Sequence, residues 1–372
     1  MLFSLLLLVG CSGKKETDPP QAGKELDNSE TKEELYEKAK KEDVLIVYTV
    51  STRATKVKES FEKEYPGLFV EVRDLRSPDL IEAVEEDYTK GLDECDIVIC
   101  NDNSGEFKSR LIDTGIVLPY LPKDIKPHMK NISDDGTVSF VYEAQMVFYN
   151  EQKYESIPET NLWALTDEKY KGRIYMPNPL RSFSAYAFCS SSLSKKNEFA
   201  DSYYRYYGKK PEADNAAELF WESIFPNIVF TNSSDEVAEA LADGSADFGF
   251  MVSSKLRLKD VGYRIEPAYS MEPFCGCLTS YSVMLAKNSK NMNTAKLFIR
   301  YLLGEADGTG DGYKPFSQPG TWSARNDVQD GTEIALDELA LIIPDIDILI
   351  KDKEKLESFW SKLLKINIGA SE

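Results

Sequence analysis

The chain has 372 residues, with 44 basic and 63 acidic side chains and a formal net charge of −19. Apolar residues make up 42% of the sequence, which is enough for a packed core and excludes a wholly disordered chain. The acidic balance argues against nucleic-acid binding, because that depends on Lys and Arg neutralising phosphates. His128 is the single histidine, so metal sites with two His ligands, including the usual zinc sites, are excluded.

The N-terminal segment predicts the compartment. Residues 2–9 form an apolar run broken only by a serine, with the length of a signal-peptide core and too short to span a bilayer. The run ends in Leu8-Val9-Gly10-Cys11, which resembles a bacterial lipobox. We therefore expect residues 1–10 to be a signal peptide and Cys11 to carry the lipid. The following residues are too polar to offset the entropy of ordering, so residues 11–31 are expected to tether an extracytoplasmic, lipid-anchored body to a bacterial membrane.

The first half of the body alternates strands and helices. The continuous apolar run Val44–Val50 predicts a strand covered on both faces. A helix is expected from Thr52, because apolar residues follow it three or four positions apart. The same rhythm predicts strands at Phe69–Asp74 and Asp96–Cys100 and helices at Asp79–Lys90 and Glu106–Asp113. This β-α-β-α-β order indicates parallel strands with right-handed crossovers.

The alternation returns in the second half of the chain. Strands are expected at Ser139–Asn150, Arg173–Met176, Ile228–Thr231, Asp247–Met251 and Thr279–Leu285. Helices are expected at Trp163–Tyr170, Asn197–Tyr207, Asp214–Ile224, Ser233–Asp243, Asn293–Leu303, Glu333–Leu341 and Lys351–Lys365. Two α/β lobes without a long linker between them imply a cleft.

Small hydroxyl and charged residues follow several of these strands, where ligands bind in open α/β sheets. The first strand ends in Ser51-Thr52-Arg53 and the third in Asn101-Asp102. In the second half, a strand runs into Arg181-Ser182-Phe183-Ser184 at a helix start. Free backbone N–H groups at helix starts favour an anion. Ser51 or Thr52 could equally cap the helix, and the segment after the third strand could be an ordinary turn.

A series of motifs occurs in a fixed order and carries a family resemblance. They are Val47-Tyr48-Thr49-Val50-Ser51-Thr52-Arg53, Phe61-Glu62-Lys63-Glu64-Tyr65-Pro66-Gly67, Tyr142-Glu143-Ala144-Gln145, Trp163-Ala164-Leu165-Thr166-Asp167 with Tyr170-Lys171-Gly172-Arg173-Ile174, and Ala242-Asp243-Gly244 with Ala246-Asp247-Phe248-Gly249. Together they resemble the periplasmic solute-binding proteins of ABC importers, in the branch that includes the ferric-iron binders. The resemblance extends from about Asp43 to Val328.

The resemblance implies an α/β, two-lobe periplasmic-binding-protein fold of type II, each lobe a mixed, mostly parallel sheet flanked by helices. Hinge strands would cross between the lobes near Phe140–Gln145 and Ile265–Tyr269. Lobe 1 would comprise residues 40–141 and 265–330, and lobe 2 residues 142–264 and 331–368. The resemblance also implies a monomer that captures a small solute and delivers it to an ABC-importer permease, without catalysis and without a cofactor.

The identity of the solute is open between two classes. Ferric binders of the family commonly carry adjacent tyrosines where this chain has Ser253-Ser254-Lys255, and hard ferric iron needs anionic oxygen ligands. Iron therefore stays the alternative, with Tyr142, Glu143 and Tyr186 as its ligands, joined by Asp102. We expect instead a small organic anion, such as a phosphonate, sugar phosphate or carboxylate, held by Ser51, Thr52, Arg53, Asn101, Asp102, Glu143, Arg181, Ser182, Ser184 and Ser253. If Glu143 or Asp102 faces the cleft, we expect the solute to carry an amine as well.

Two rival function classes have less support. An enzyme would need a catalytic motif, and the sequence has no G-x-S-x-G elbow, P-loop or G-x-G-x-x-G after a strand. A non-transport surface lipoprotein would not need matched sites at helix starts in two lobes.

The cysteines after Cys11 are interpreted as buried free thiols.

Overall fold

The computed structural model describes residues 26–131, 133 and 136–369, with side chains given up to residue 365. The predicted signal peptide, the predicted lipidation site Cys11 and all but the end of the predicted tether lie outside the described residues. Within them the chain is α/β, with one mixed sheet of twelve strands flanked by helices.

The strands are numbered in chain order. They are β1 Leu45–Thr49, β2 Val70–Asp74, β3 Ile97–Asn101, β4 Val117–Leu118, β5 Val138–Asn150, β6 Ile174–Pro177, β7 Ile228–Thr231, β8 Phe248–Val252, β9 Ile265–Pro267, β10 Gly276–Ala286, β11 Trp322–Ser323 and β12 Leu341–Ile342.

The α-helices are numbered in the same way. They are α1 Lys32–Ala39, α2 Ala54–Glu64, α3 Ser77–Lys90, α4 Phe183–Ser192, α5 Lys196–Tyr207, α6 Ala216–Ile224, α7 Ser234–Ala242, α8 Met292–Leu302, α9 Ile346–Lys351 and α10 Lys353–Gly369. A short π-helical turn, Lys108–Ile112, follows β3, and a run of 3-10 helix, Ser253–Val261, follows β8.

The sheet order is β2-β1-β3-β10-β5-β8-β6-β7, so the two long strands β10 and β5 lie at its centre. They pair antiparallel from Gly276 opposite Met146 to Val283 opposite Val138. On one side β10 continues along β3, and on the other β5 continues along β8. The parallel strands β1–β3 therefore form the sheet of lobe 1, β6–β8 form that of lobe 2, and β5 and β10 belong to both. This two-lobe fold is the predicted one.

The expected hinge positions fall on two different elements. The segment Phe140–Gln145 lies in β5, where it pairs with β10. The segment Ile265–Tyr269 contains β9, which pairs with the far end of β5, where Ile265 faces Asn150. The long strand that accompanies β5 between the lobes is thus β10.

Both faces of the central strands are buried. Every residue of β3 is buried, as the unbroken apolar pattern predicts for a strand with helices on both sides.

In lobe 2, Trp221 packs edge-on against Trp360 of α10, with ring centres 5.6 Å apart. The indole nitrogen of Trp360 donates to the Ser190 hydroxyl at 2.9 Å. The C-terminal helix is therefore part of the lobe 2 core.

The predicted helix at Glu333–Leu341 is wrong. That segment holds only a 3-10 turn at Leu336–Glu338 and then β12. The indole of Trp322 donates to the carbonyl of Ile334 at 2.8 Å, and Cys275 donates its N–H to the carbonyl of Ala340 at 2.9 Å. These backbone groups serve tertiary hydrogen bonds, whose partners are distant in the sequence.

Two further features bear on the sequence predictions. Cys95, Cys100, Cys189, Cys275 and Cys277 are all buried free thiols, as interpreted. Within the described ranges, no helix combines the length and the apolar character that crossing a membrane requires.

Candidate functional site

The Arg53 side chain follows β1 and contacts several elements at once. Its Nη2 forms an ion pair with Oε1 of Glu143 at 2.5 Å, and its Nε donates to Oγ of Ser51 at 3.1 Å. The guanidinium carbon lies 4.6 Å from the ring centre of Phe316 and 5.3 Å from that of Tyr281. Such cation–π contacts favour a buried guanidinium. The charged end of Arg53 is therefore fixed inside the protein.

Glu143 lies midway along β5, and its side chain is 1% exposed. Its second oxygen, Oε2, accepts a hydrogen bond from Oγ of Ser254 at 3.0 Å. Burial disfavours the charged form of Arg53, but the Glu143 carboxylate and the Tyr281 hydroxyl together outweigh burial, so the pKa of Arg53 is raised. Because Arg53 belongs to lobe 1 and Ser254 to lobe 2, the Glu143 carboxylate joins the two lobes.

The structure does not show the alternative in which Ser51 or Thr52 caps the following helix. Helix α2 begins at Ala54, and no side chain caps it. The Ser51 hydroxyl serves Arg53 instead, while the Ser51 N–H donates to Oγ1 of Thr49 at 3.0 Å. Thr52 is exposed. Of the predicted residues Ser51, Thr52 and Arg53, Ser51 and Arg53 thus lie together inside the site.

A second contact between the lobes involves Ser184 of α4. Its hydroxyl accepts hydrogen bonds from Nδ2 of Asn101 and Nδ2 of Asn103, each at 3.4 Å. Ser182 caps α4, accepting the N–H of Ala185 at 3.4 Å. The structure therefore brings Asn101 and Ser184 together across the lobes.

Arg181 and Asp102 play different parts from Ser184. Arg181 is exposed, one residue before the cap of α4. Asp102 accepts backbone N–H groups from Gly105, Phe107 and Lys108 at 2.7 to 3.2 Å, so its carboxylate orders the turn after β3. Burial nevertheless raises the pKa of Asp102 to about 6, although these hydrogen bonds oppose the rise.

Ser253 holds backbone segments together at the junction of the lobes. Its hydroxyl donates to the carbonyl of Gly320 at 2.5 Å and accepts the N–H of Ala144 at 2.9 Å. The side chain is 1% exposed and both its hydrogen-bonding roles are filled. Ser253 therefore positions β5 and the segment around Gly320.

A family model described as bacterial extracellular solute-binding protein matches residues 47–308, most of the chain. The chain belongs to this family. The family assignment agrees with the resemblance carried by the sequence motifs.

The solute-binding protein shares its fold with several solved structures. Iron-bound HitA from Pseudomonas aeruginosa superposes with a TM-score of 0.65 at 15% identity, covering 86% of this chain and 99% of HitA. AfuA from Actinobacillus pleuropneumoniae, with fructose-6-phosphate bound, gives 0.67 at 17% identity, covering 87% and 99%. The ferric binding protein from Campylobacter jejuni gives 0.63 at 16% identity, covering 86% and 99%. A search of curated proteins found no match.

Lobe 2 of the solute-binding protein adds cations that the sequence predictions missed. Lys255 is buried and forms an ion pair with Asp235 at 2.5 Å. Arg257 is partly buried, and its Nη1 donates to the backbone carbonyl of Ser254 at 2.6 Å. No carboxylate lies within ion-pair distance of Arg257 in the part of the chain that the structure describes. The sequence analysis noted Ser254 only because it stands where ferric binders carry tyrosine. Arg257 lies three residues later, and this proximity was the signal that could have identified it.

Several buried polar atoms near the junction have no hydrogen-bond partner in good geometry among the described residues. They include Nη1 of Arg53, Oδ1 of Asn101 and both amide atoms of Gln145. Gln145 is 0% exposed and lies two positions after Glu143 on β5, so both side chains project from the same face of the strand. Buried polar groups normally find partners. The site therefore has spare hydrogen-bonding capacity.

The side chains of the alternative ferric site are spread over different surfaces. Tyr142 precedes Glu143 on β5, so the two side chains project from opposite faces. Tyr186 of α4 lines a separate cavity of about 40 Å³ between the lobes, together with Ser104 and Lys353. Over the described ranges, no group of three or more His, Cys, Asp or Glu side chains is placed to hold a metal ion.

Proposed function

We propose that this solute-binding protein is a lipid-anchored receptor that binds a small organic anion between its lobes and delivers it to the permease of an ABC importer. The observation that carries the proposal is the Arg53 guanidinium. It is buried between the lobes beside the Tyr281 hydroxyl, and its Nη1 has no hydrogen-bond partner in good geometry among the described residues. A phosphonate, sugar phosphate or carboxylate supplies the acceptor that this nitrogen lacks.

Binding would proceed by hinge motion. In the closed arrangement, Glu143 contacts Arg53 of lobe 1 and Ser254 of lobe 2, and Ser184 contacts Asn101. The solute would enter when these contacts between lobes separate. It would then favour closure by contacting both lobes at once, because a ligand shifts a conformational equilibrium only by its differential affinity for the two states.

The chemistry of the side chains favours an organic anion over ferric iron. Ferric iron needs several anionic oxygen ligands, whereas Glu143 is already paired with the Arg53 cation and Tyr142 faces away from it. Among the neighbours that share the fold, HitA is iron-bound and AfuA has fructose-6-phosphate bound. At 15% and 17% identity these neighbours show the fold alone, so ferric iron stays the alternative solute and is an outcome of the test.

The remaining part of the proposal concerns the membrane anchor. The lipid is proposed on Cys11 by its resemblance to a lipobox. Expression with a Cys11→Ala change should release the protein from the membrane fraction, whereas the unchanged chain should stay with it.

The solute class is tested on the protein as purified. Native mass spectrometry should show a bound mass in the range of a small organic anion, and metal analysis should show less than stoichiometric iron. Thermal-shift screening against organic anions should then raise the melting temperature, because a ligand that binds only the folded state stabilises it by mass action. Stoichiometric ferric iron would overturn the organic-anion proposal and establish the alternative.

A further inference from the structure

A second set of contacts joins the lobes at the turn that follows β3, residues 102–108. Helix α9 lies against this turn of lobe 1 and also against α4 of lobe 2, and α10 then continues into the core of lobe 2. We call residues 346–353 the C-terminal bridge. Its contacts use none of the side chains that join Arg53, Glu143 and Ser254, so the bridge is a separate connection between the lobes.

The apolar part of the C-terminal bridge is a close approach between a glycine and an isoleucine. A Cβ added at Gly105 would overlap Cγ1 of Ile350 and lie 3.3 Å from the carbonyl oxygen of Ile346. Gly105 also has a φ of +82°, which residues with a side chain rarely adopt. Glycine at this position therefore leaves a notch in lobe 1, and the Ile350 side chain occupies it.

Phe183, the first residue of α4, adds an apolar contact beside the bridge. Its side chain is 8% exposed and belongs to the hydrophobic cluster of lobe 1 that includes Leu80, Phe107 and Leu111. Removing apolar side chains from water is favourable whether or not a solute is bound. These contacts therefore stabilise the closed arrangement by themselves.

The polar part of the C-terminal bridge is an ion pair whose two partners are each held on their own lobe. Nζ of Lys353 lies 3.0 Å from Oε1 of Glu106, with side chains 37% and 17% exposed. On lobe 1, Oε2 of Glu106 accepts a hydrogen bond from Nη1 of Arg110 at 3.1 Å. On lobe 2, Nζ of Lys353 lies 3.7 Å from Oε1 of Glu357, one turn further along α10.

These local partners make the ion pair easy to separate. When the lobes part, Glu106 keeps the charge of Arg110 and Lys353 keeps that of Glu357. Separating the buried pair of Arg53 and Glu143 is different, because it removes the counter-charge of a buried ion. The C-terminal bridge therefore combines a favourable apolar contact with an ion pair that opens at little cost.

We propose that the C-terminal bridge is a releasable latch that favours the closed arrangement before any solute binds. The latch sets the fraction of solute-free protein that is open to accept a solute. That fraction matters for uptake, because a binding-competent state that is only partly populated lowers the apparent affinity in proportion. The inference goes beyond the proposed function, since it concerns contacts between the lobes and applies to any solute.

The test measures opening of the full chain with Cys11→Ala, refolded from urea so that no solute is carried over. Ser104→Cys supplies a reporter thiol, because Ser104 is 4% exposed and lines the cavity of about 40 Å³ between the lobes together with Lys353. The reporter should react with a soluble thiol reagent only when the lobes separate. The five cysteines of the described residues are buried, so they should react far more slowly.

Variants of the bridge should change the reaction rate of the reporter. We expect Ile350→Ala to speed it at least about fivefold, since most of the side chain in the notch is lost, and Ile350→Val to speed it less. Lys353→Gln should speed it by less than about fivefold, because the ion pair is partly exposed. Ile348→Ala is the matched control: Ile348 lies on the same helix but is 44% exposed, and the rate should not change.

Small-angle X-ray scattering shows whether the lobes move as a whole. The radius of gyration of the solute-free protein should increase with Ile350→Ala and stay unchanged with Ile348→Ala. A faster reaction without this increase would mean that the C-terminal segment detaches locally, and it would overturn the latch. Equal reaction rates for Ile350→Ala and Ile348→Ala would overturn it as well.

Folding and solute identity are separated from the result. Thermal unfolding shows whether each variant folds, and Ile350→Val and Lys353→Gln keep the test decisive if Ile350→Ala does not. Neither the reaction rate nor the scattering measurement involves a solute. The latch can therefore fail while the organic-anion proposal stands, and binding of ferric iron in place of an organic anion would leave the latch unaffected.

Discussion

The carboxylate of Glu143 and the guanidinium of Arg53 form an ion pair at 2.5 Å, with side chains 1% and 10% exposed. Taking two charges out of water is costly, and their attraction offsets this only while both partners are present. The pair lies where β5 passes between the lobes, so its integrity affects both the stability of the fold and the affinity for a solute.

Glu143→Gln should lower the free energy of unfolding by about 3 kcal/mol, because it leaves Arg53 buried without its counter-charge. Urea denaturation measures the change. Glu71→Gln is the matched control, since Glu71 pairs with Arg73 at the surface with half of its side chain exposed. That change should cost less than about 1 kcal/mol. Equal losses of unfolding free energy in the two variants would show that the buried ion pair stabilises the fold no more than the surface pair does.

Gly320→Ala should disrupt the junction of the lobes. Gly320 has a φ of +83°, and an added Cβ would lie 2.0 Å from the carbonyl oxygen of Ser253. Gly244→Ala separates the clash from the backbone strain, because Gly244 has the same φ of +83° with nothing within 4 Å of the added atom. We expect a loss of about 1 kcal/mol for Gly244→Ala from strain alone and a clearly larger one for Gly320→Ala. Similar melting temperatures for the two variants would contradict the clash.

Much of the fold could be predicted from the sequence because local signals and tertiary structure agree. The apolar run that predicted a strand at Val44–Val50 lies in a sheet with both faces covered, and the spacing after Thr52 matched helix α2. The predicted helix at Glu333–Leu341 failed, because tertiary hydrogen bonds to Ile334 and Ala340 take up the backbone groups. Local periodicity has no access to those partners.

The site was predictable where it follows strand ends and unpredictable where it depends on the pairing of distant segments. Arg53 follows β1 and Asn101 ends β3, and the ligand rule for open α/β sheets pointed to both. Arg257 was missed, because its importance comes from the contacts of Ser254 with Glu143, 111 positions away in the chain. The role of Asp102 as a partner of backbone N–H groups also depends on loop geometry that the sequence does not display.

Ser184→Ala should loosen the closed arrangement of the lobes. It removes the acceptor for the side-chain amides of Asn101 and Asn103, each 3.4 Å from the Ser184 hydroxyl. Hydrogen–deuterium exchange in residues 101–108 should become faster, by a factor corresponding to about 1 kcal/mol. Ser223→Ala is the control, because the Ser223 hydroxyl donates to the carbonyl of Leu219 within its own helix. Unchanged exchange in residues 101–108 would mean that Ser184 does not hold the lobes together.

The Asp102 carboxyl should make stability fall as the pH rises from about 4 to 6. Burial raises its pKa from 3.8 to about 6 in the folded state, so in this window the folded protein retains a proton that the unfolded chain releases. Asp102→Asn keeps an oxygen for the N–H groups of Gly105 and Phe107, loses the acceptor of the Lys108 N–H, and does not titrate. Measured by urea denaturation, wild type should therefore lose stability relative to Asp102→Asn across this window, by up to about 3 kcal/mol and by less where water screens the partly exposed side chain. A difference between the two proteins that is constant from pH 4 to 7 would show that the pKa of Asp102 is not raised.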